Sequence, residues 1–191
     1  MNPSQITEWC QAVIRWQVPE HGIYVDATMG NGHDTLFLCR LAGEHGKVWA
    51  FDIQDAALRS TKKRLEDHGL LHRACLIRDG HEHMDRYLAP RTADAVCFNL
   101  GYLPGGDHDI ATGPQTSVEA IRKGLEILKY GGLMSLCVYS GGDTGYEEKN
   151  VVLGYLKTLP KKEYTVIVNS YFNRENDPPM PVFVFKSPKP V

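Results

Sequence analysis

The chain has no C-x-x-C pair, and its five cysteines (Cys10, Cys39, Cys75, Cys97, Cys137) stand far apart, mostly inside apolar runs. This spacing excludes a cysteine-based zinc site and a disulfide framework, and predicts reduced, buried thiols. Long hydrophobic runs are absent too: the longest are strand-sized, and no basic and apolar leader precedes Trp9. With neither a membrane span nor a signal peptide legible, a cytoplasmic protein without a membrane partner is expected. Nor does one charge dominate. Lys and Arg number 21 against 23 acids, net −2 at pH 7, so any contact with nucleic acid must be local. The Arg59, Lys62, Lys63, Arg64 cluster reads as the solvated face of a helix rather than a phosphate-binding surface. Repeats and low-complexity segments are missing as well. With 191 residues, 42% hydrophobic and 23% charged, the chain is expected to form one domain, residues 1–191.

What is present begins at Tyr24-Val25-Asp26-Ala27-Thr28-Met29-Gly30-Asn31-Gly32-His33-Asp34-Thr35. An apolar run ends in an acid and passes through a turn with two glycines into a helix-like segment (Leu36, Phe37, Leu38, Leu41). Glycines let backbone approach a ligand closely, and a helix start presents free N–H groups, so the turn suits part of a nucleotide-like molecule. Twenty residues after Gly32 a second apolar run, Lys47 to Phe51, ends in Asp52, placed to accept hydrogen bonds from the two hydroxyls of a ribose. Thr35 stands where G-x-G-x-x-G needs its third glycine, which disfavours a dinucleotide.

Asn2-Pro3 opens a helix over residues 3–18, with Ile6, Trp9, Cys10, Val13, Ile14 and Trp16 at helical spacing, and its tryptophans are expected in the core as it covers a sheet. Seven strands are predicted, near 23–27, 47–52, 73–78, 94–99, 133–139, 164–170 and 182–186, with helices between most of them. Asp55 begins a helix that Gly69 ends, and Gly131-Gly132 closes another through Val118, Ile121, Leu125 and Leu128. The last two strands have no room for a crossover helix and should pair antiparallel. The fold class expected is therefore α/β: a Rossmann-like, seven-stranded, mostly parallel sheet with a C-terminal antiparallel hairpin and helices on both faces.

That layout resembles the class I S-adenosylmethionine (SAM) methyltransferases over nearly the whole chain. Arg78-Asp79-Gly80-His81 follows the third strand, and Asn99-Leu100-Gly101-Tyr102 follows the fourth, similar to the N-P-P-Y signature of amino-group methyltransferases with Leu-Gly replacing Pro-Pro. The segments Asp26 to Thr35, Phe51-Asp52-Ile53-Gln54, Asp79-Gly80-His81, Phe98 to Asp107 and Asn173-x-x-Asn176-x-Pro178-Pro179 together resemble a small bacterial family. Its members were first labelled rRNA methylases and are associated with methylation of 5-(aminomethyl)-2-thiouridine at the tRNA wobble position.

The resemblance implies SAM as cofactor and the anticodon stem-loop of tRNA as partner, with the aminomethyl nitrogen as methyl acceptor. Thr28, Gly30, Asn31, Gly32 and His33 would then line the methionine and ribose side, Asp52 and Gln54 the ribose, and Asp79, Gly80 and His81 the adenine side. His33 and His81 read equally well as helix-capping or backbone-satisfying residues. In Asn99-Leu100-Gly101-Tyr102, the Asn99 side-chain oxygen and the Leu100 carbonyl would accept the hydrogens of a neutral amine, while Tyr102 would stack on the base; Asn99 also suits a plain turn, and Tyr102 core packing. Asp107, Arg174 and Asn176 are the candidate substrate contacts. Asp107-His108-Asp109 fits a lid or a solvated turn. Two segments, Tyr139 to Gly145 and Asn173 to Asn176, read as substrate loops or as connectors. No metal is expected, since His81-Glu82-His83 lacks ligand spacing. A homodimer stays open. Competing functions are N-methylation of an exocyclic base amine in rRNA or DNA, a nucleotide-binding oxidoreductase, and a non-catalytic SAM- or RNA-binding module.

Overall fold

The computed structural model describes residues 5–100, 113–139, 145–175 and 177–189. In chain order the elements are α1 (Ile6–Gln17), β1 (Ile23–Asp26), α2 (His33–Ala42), β2 (Lys47–Asp52), α3 (Asp55–Asp67), β3 (Ala74–Arg78), β4 (Ala93–Leu100), α4 (Pro114–Ile127), β5 (Leu128–Val138), α5 (Gly145–Lys157), β6 (Tyr164–Val168) and β7 (Met180–Lys186). Short 3-10 turns at Leu71–Arg73 and His81–Arg86 flank β3. Among the described residues the strands form one sheet in the order β3-β2-β1-β4-β5-β7-β6. Its first five strands are parallel, and β7 runs antiparallel to both β5 and β6, as the short β6–β7 connection requires.

Alternation along the buried strands sends side chains to two cores. On one face Val25, Phe51, Val96, Phe98, Leu100, Met134 and Leu136 pack with α4 and α5; on the other Tyr24, Val48, Ala95, Cys97 and Leu133 pack with α1 and α2, and Leu65 of α3 joins them. From α1, Cys10 and Ile14 are buried and Trp9 is partly covered, so the helix caps the sheet as expected. Trp16 is a correction. It is 69% exposed and meets Trp9 edge-on at 6.0 Å, because the stripe that faces the interior runs through Cys10, Ile14 and Val18 and Trp16 points away from it.

Gly69 ends α3 as predicted: with φ at +67° it lets its own N–H reach the Glu66 carbonyl at 2.9 Å and the Leu70 N–H reach that of Leu65 at 2.8 Å. Gly131 does something else. Helix α4 stops at Ile127 and the chain enters β5 at once, so Gly131, at φ +76°, lies inside a bulge where Ala93 pairs with Leu128 but Ala95 pairs with Leu133. The bulge turns Lys129 back onto Asp94, whose two carboxylate oxygens it contacts at 2.8 Å.

All the parallel strands end at the edge where β1 hands over to α2. There Asp26, wholly buried, accepts the Thr35 hydroxyl at 2.6 Å and the Thr28 N–H at 3.2 Å. Thr35 thus replaces the missing glycine with a hydroxyl that ties the helix to the strand. Burial, reinforced by the neighbouring Asp34 charge, pushes the Asp26 carboxyl up from 3.8 to about 7. Since the folded chain holds a proton there that the unfolded chain has released, stability should fall as pH rises from about 4 to 7. In Asp26→Asn that loss disappears. Urea midpoints at about pH 4.5 and 7.5 should move in the variant's favour at the higher pH relative to the parent, and an unchanged difference would contradict the assignment.

Candidate functional site

The turn between β1 and α2 is held open by backbone conformation and by α3. Gly30 and Gly32 both lie at positive φ, +48° and +78°. A Cβ on Gly32 would come within 2.7 Å of the Thr61 hydroxyl and 2.9 Å of its Cα, so this position is glycine for two reasons. Three successive contacts from α3 fasten the turn: Ser60 Oγ to Asn31 Oδ1 at 3.2 Å, Thr61 Oγ1 donating to the Gly30 carbonyl at 3.0 Å, and Arg64 Nε donating to the Asn31 carbonyl at 2.7 Å. Arg64 also reaches His33 Nε2 at 3.1 Å, and because a guanidinium only donates, that ring nitrogen accepts. The rest of the basic cluster follows the solvated reading, with Lys62 paired to Glu66 at 3.8 Å and Lys63 to Asp67 at 3.0 Å.

Asp52, at the end of β2, accepts the Gly30 N–H at 3.0 Å on one oxygen and the Gln54 N–H at 3.0 Å on the other. Gln54 caps α3 from an extended conformation without a side-chain bond. The carboxylate is therefore fixed by two backbone donors and only half-buried. A carboxylate offers about four acceptor directions, so each oxygen keeps one for a ligand hydroxyl. That is the chemistry a ribose needs.

After β3, Asp79 is gathered by its own turn. It accepts the Gly80 N–H at 2.8 Å and the Tyr87 hydroxyl at 3.0 Å, and pairs with His83 Nδ1 at 2.8 Å. The His83 hydrogen bond, aided by Tyr87 and Gly80, holds its carboxyl below the usual range. His81 is buried, hydrogen-bonded to the Ala27 backbone and edge-on to Phe98 at 5.9 Å; burial pushes its imidazole down and keeps it neutral.

At the end of β4 the Asn99 N–H donates to Thr28 Oγ1 at 2.7 Å, and the Asn99 side-chain Nδ2 donates to Asp34 Oδ2 at 2.8 Å. Asp34 receives Gln11 Nε2 on its other oxygen at 2.7 Å. The Leu100 carbonyl accepts the Tyr139 N–H at 3.2 Å, so the sheet takes one of its lone pairs. Thr28, Gly30, Asn31, Gly32, His33, Asp52, Gln54, Asp79, Gly80, His81, Asn99 and Leu100 thus lie along one carboxyl edge of the sheet.

Tyr102, Asp107, Asn176 and most of the segment from Tyr139 to Gly145 lie outside the described residues. Arg174 is described. Because β6 runs parallel to β5, the β6–β7 connection leaves from the same carboxyl edge, and in it the Arg174 guanidinium sits 4.2 Å from the centre of the Tyr171 ring. Phe172 beside it is wholly exposed. Phe172, Gln11 and Asp34 were not singled out as site residues from the sequence; an Asp in the first turn of a helix after a glycine turn was the only signal for the last. Among the described residues no helix is long and apolar enough to cross a membrane.

Known proteins place this edge in context. The family described as "Putative rRNA methylase" matches residues 48–185. The "tRNA (mnm(5)s(2)U34)-methyltransferase, chloroplastic" of Arabidopsis thaliana is 36% identical over 190 residues, covering 94% of this chain and 69% of that protein. A "putative rRNA-methylase" from Clostridium thermocellum is 46% identical, with a TM-score of 0.91 over 94% of this chain and 96% of that one. A "putative methyltransferase" from Streptococcus mutans, solved in complex with SAH, is 38% identical, with a TM-score of 0.86 over 95% of this chain and 98% of that one. SAH is SAM without its transferable methyl. A match over most of its length, together with a solved relative that carries the demethylated cofactor, makes this chain a member of the "Putative rRNA methylase" family, a SAM-dependent enzyme with the class I methyltransferase fold.

Proposed function

We propose that this protein methylates the aminomethyl nitrogen of 5-aminomethyl-(2-thio)uridine at the tRNA wobble position. The observation that carries the reading is Asn99 at the end of β4, whose side-chain Nδ2 donates to Asp34, which leaves Oδ1 as the acceptor it would offer to an incoming N–H. The likeness to the Arabidopsis enzyme supports the choice of tRNA. SAM, when bound, supplies a methyl on a sulfonium centre and leaves as a neutral thioether. Asp52 and Gln54 would take the ribose, Thr28, Gly30, Asn31, Gly32 and His33 the methionine and ribose side, and Asp79, Gly80 and His81 the adenine side.

The protein's own task is to hold the acceptor amine neutral and aligned. With lysine's value of about 10.4 as a guide, only about one aliphatic amine in 2,500 is unprotonated at pH 7, a penalty of roughly 4.6 kcal/mol. Asn99 Oδ1 and the remaining lone pair of the Leu100 carbonyl would accept the two hydrogens of the neutral amine and aim its lone pair away from them. Tyr102 would stack on the uracil. Asp107 and Asn176, with Arg174 and the exposed Phe172, would meet the anticodon stem-loop, an aromatic and a guanidinium being the groups that hold unpaired bases.

Two substitutions separate binding from chemistry. Asp52→Ala should weaken SAM binding tenfold or more, about 1.5 to 3 kcal/mol, by calorimetry. Asn99→Ala should keep SAM affinity within a few-fold while turnover falls by roughly one to three orders of magnitude. Near-parental turnover would reduce Asn99 to a turn residue.

The acceptor itself has a pH signature. Single-turnover transfer to tRNA bearing aminomethyluridine should rise roughly tenfold per pH unit below the effective amine pKa and then level off. An exocyclic base amine has no such proton to lose, so a flat profile, with SAM binding measured alongside as the control, would favour that acceptor instead.

A further inference from the structure

We infer that Asp34 is a positioning residue for methyl transfer, which fixes the direction of the Asn99 amide and is itself held by Gln11 of the N-terminal helix. The inference rests on the reading of Asn99 as the acceptor of the substrate N–H. An asparagine amide is nearly symmetric in shape, so only its hydrogen-bond partners decide which end faces the substrate. A carboxylate can only accept. With Asp34 Oδ2 at 2.8 Å, the Asn99 side chain must present its NH2 group, because the turned-over amide would set two acceptor oxygens against each other at that distance. Oδ1 is then the end displayed.

Three more contacts keep the arrangement in one state. The Asn99 backbone N–H is anchored on Thr28 Oγ1 at 2.7 Å, so the strand end cannot shift beneath its side chain. Gln11 donates to Asp34 Oδ1 at 2.7 Å across 23 residues of sequence, so the carboxylate cannot rotate freely. The adjacent Thr35 bonds Asp26 at 2.6 Å and fixes the first turn of α2. Donation to a charged partner also polarises the amide, which makes Oδ1 a stronger acceptor. Helix α1 therefore serves the site as well as covering the sheet.

The test replaces the carboxylate by a group of the same shape that can either donate or accept. In Asp34→Asn the Asn99 amide loses its fixed direction, and kcat with tRNA should fall roughly 10- to 100-fold while the SAM Kd stays within about threefold. Gln11→Ala should move kcat the same way by a smaller factor. A reversed pair, Asp34→Asn with Asn99→Asp, restores a donor facing a carboxylate and should recover at least about fivefold over Asp34→Asn alone. NMR supplies a readout that needs no RNA: the Asn99 side-chain amide signals, assigned by their loss in Asn99→Ala, should shift strongly in Asp34→Asn. Parental kcat with unmoved Asn99 signals would overturn the inference. So would a rate loss matched by equal losses of SAM affinity and thermal stability, the pattern of a merely structural residue. If the parent instead fails on tRNA carrying aminomethyluridine, the substrate reading fails, and the amide signals still decide whether Asp34 directs Asn99.

Discussion

Asp26 places a carboxylate with no solvent exposure where β1 ends, and the rest of the site is hung from it. One oxygen takes the Thr35 hydroxyl and fixes the start of α2; the other takes the Thr28 N–H and fixes the turn. Thr28 in turn accepts the Asn99 N–H from β4, and Asn99 donates to Asp34, the residue before Thr35. The path closes on itself, linking two strands and a helix through five residues. Burying a charge-capable group in this way is unfavourable by itself, and its upward-shifted pKa is the mark of that penalty. What the structure gains is a turn whose backbone is set before any ligand arrives.

A second carboxylate does the opposite work. Asp52 is only half-buried and is clamped by the backbone amides of Gly30 and Gln54, one on each oxygen, which leaves each oxygen a further acceptor direction. Two acids at the ends of neighbouring strands thus divide between holding the fold and meeting a ligand, and environment alone makes the difference. The same division separates Thr61 and Arg64, which hold the glycine turn from α3, from the glycines they hold. Rigidity at this edge matters because a displacement between a neutral leaving group and a lone pair draws most of its rate from alignment.

Much of this was legible in the sequence. The seven strands, the antiparallel ending, the α3 stop at Gly69 and the Gly30, Gly32 and Asp52 spacing all follow from periodicity and turn chemistry, which are local. Gly131 was misread as a helix end because a glycine in a bulge and one after a helix carry the same signal, and only pairing with β4 tells them apart. Trp16 was misread because it lies two residues, about 200° of turn, from Ile14 and so stands off the stripe of Cys10, Ile14 and Val18 that faces the interior. The bonds of Asp34 to Gln11 and Asn99 span 23 and 65 residues, and no local pattern encodes such partners. Tyr102, Asp107 and Asn176 remain expectations from the family resemblance.

The central claim is that this edge delivers an alkyl amine of tRNA to SAM, and mass spectrometry of nucleosides tests it most directly. Unmethylated tRNA bearing aminomethyl-thiouridine is incubated with the protein and SAM, digested to nucleosides and compared with a sample lacking enzyme. The account predicts a gain of one methyl on aminomethyl-thiouridine, with every other nucleoside unchanged. Methylated adenosine, guanosine or cytidine beside an unaltered wobble uridine would contradict it.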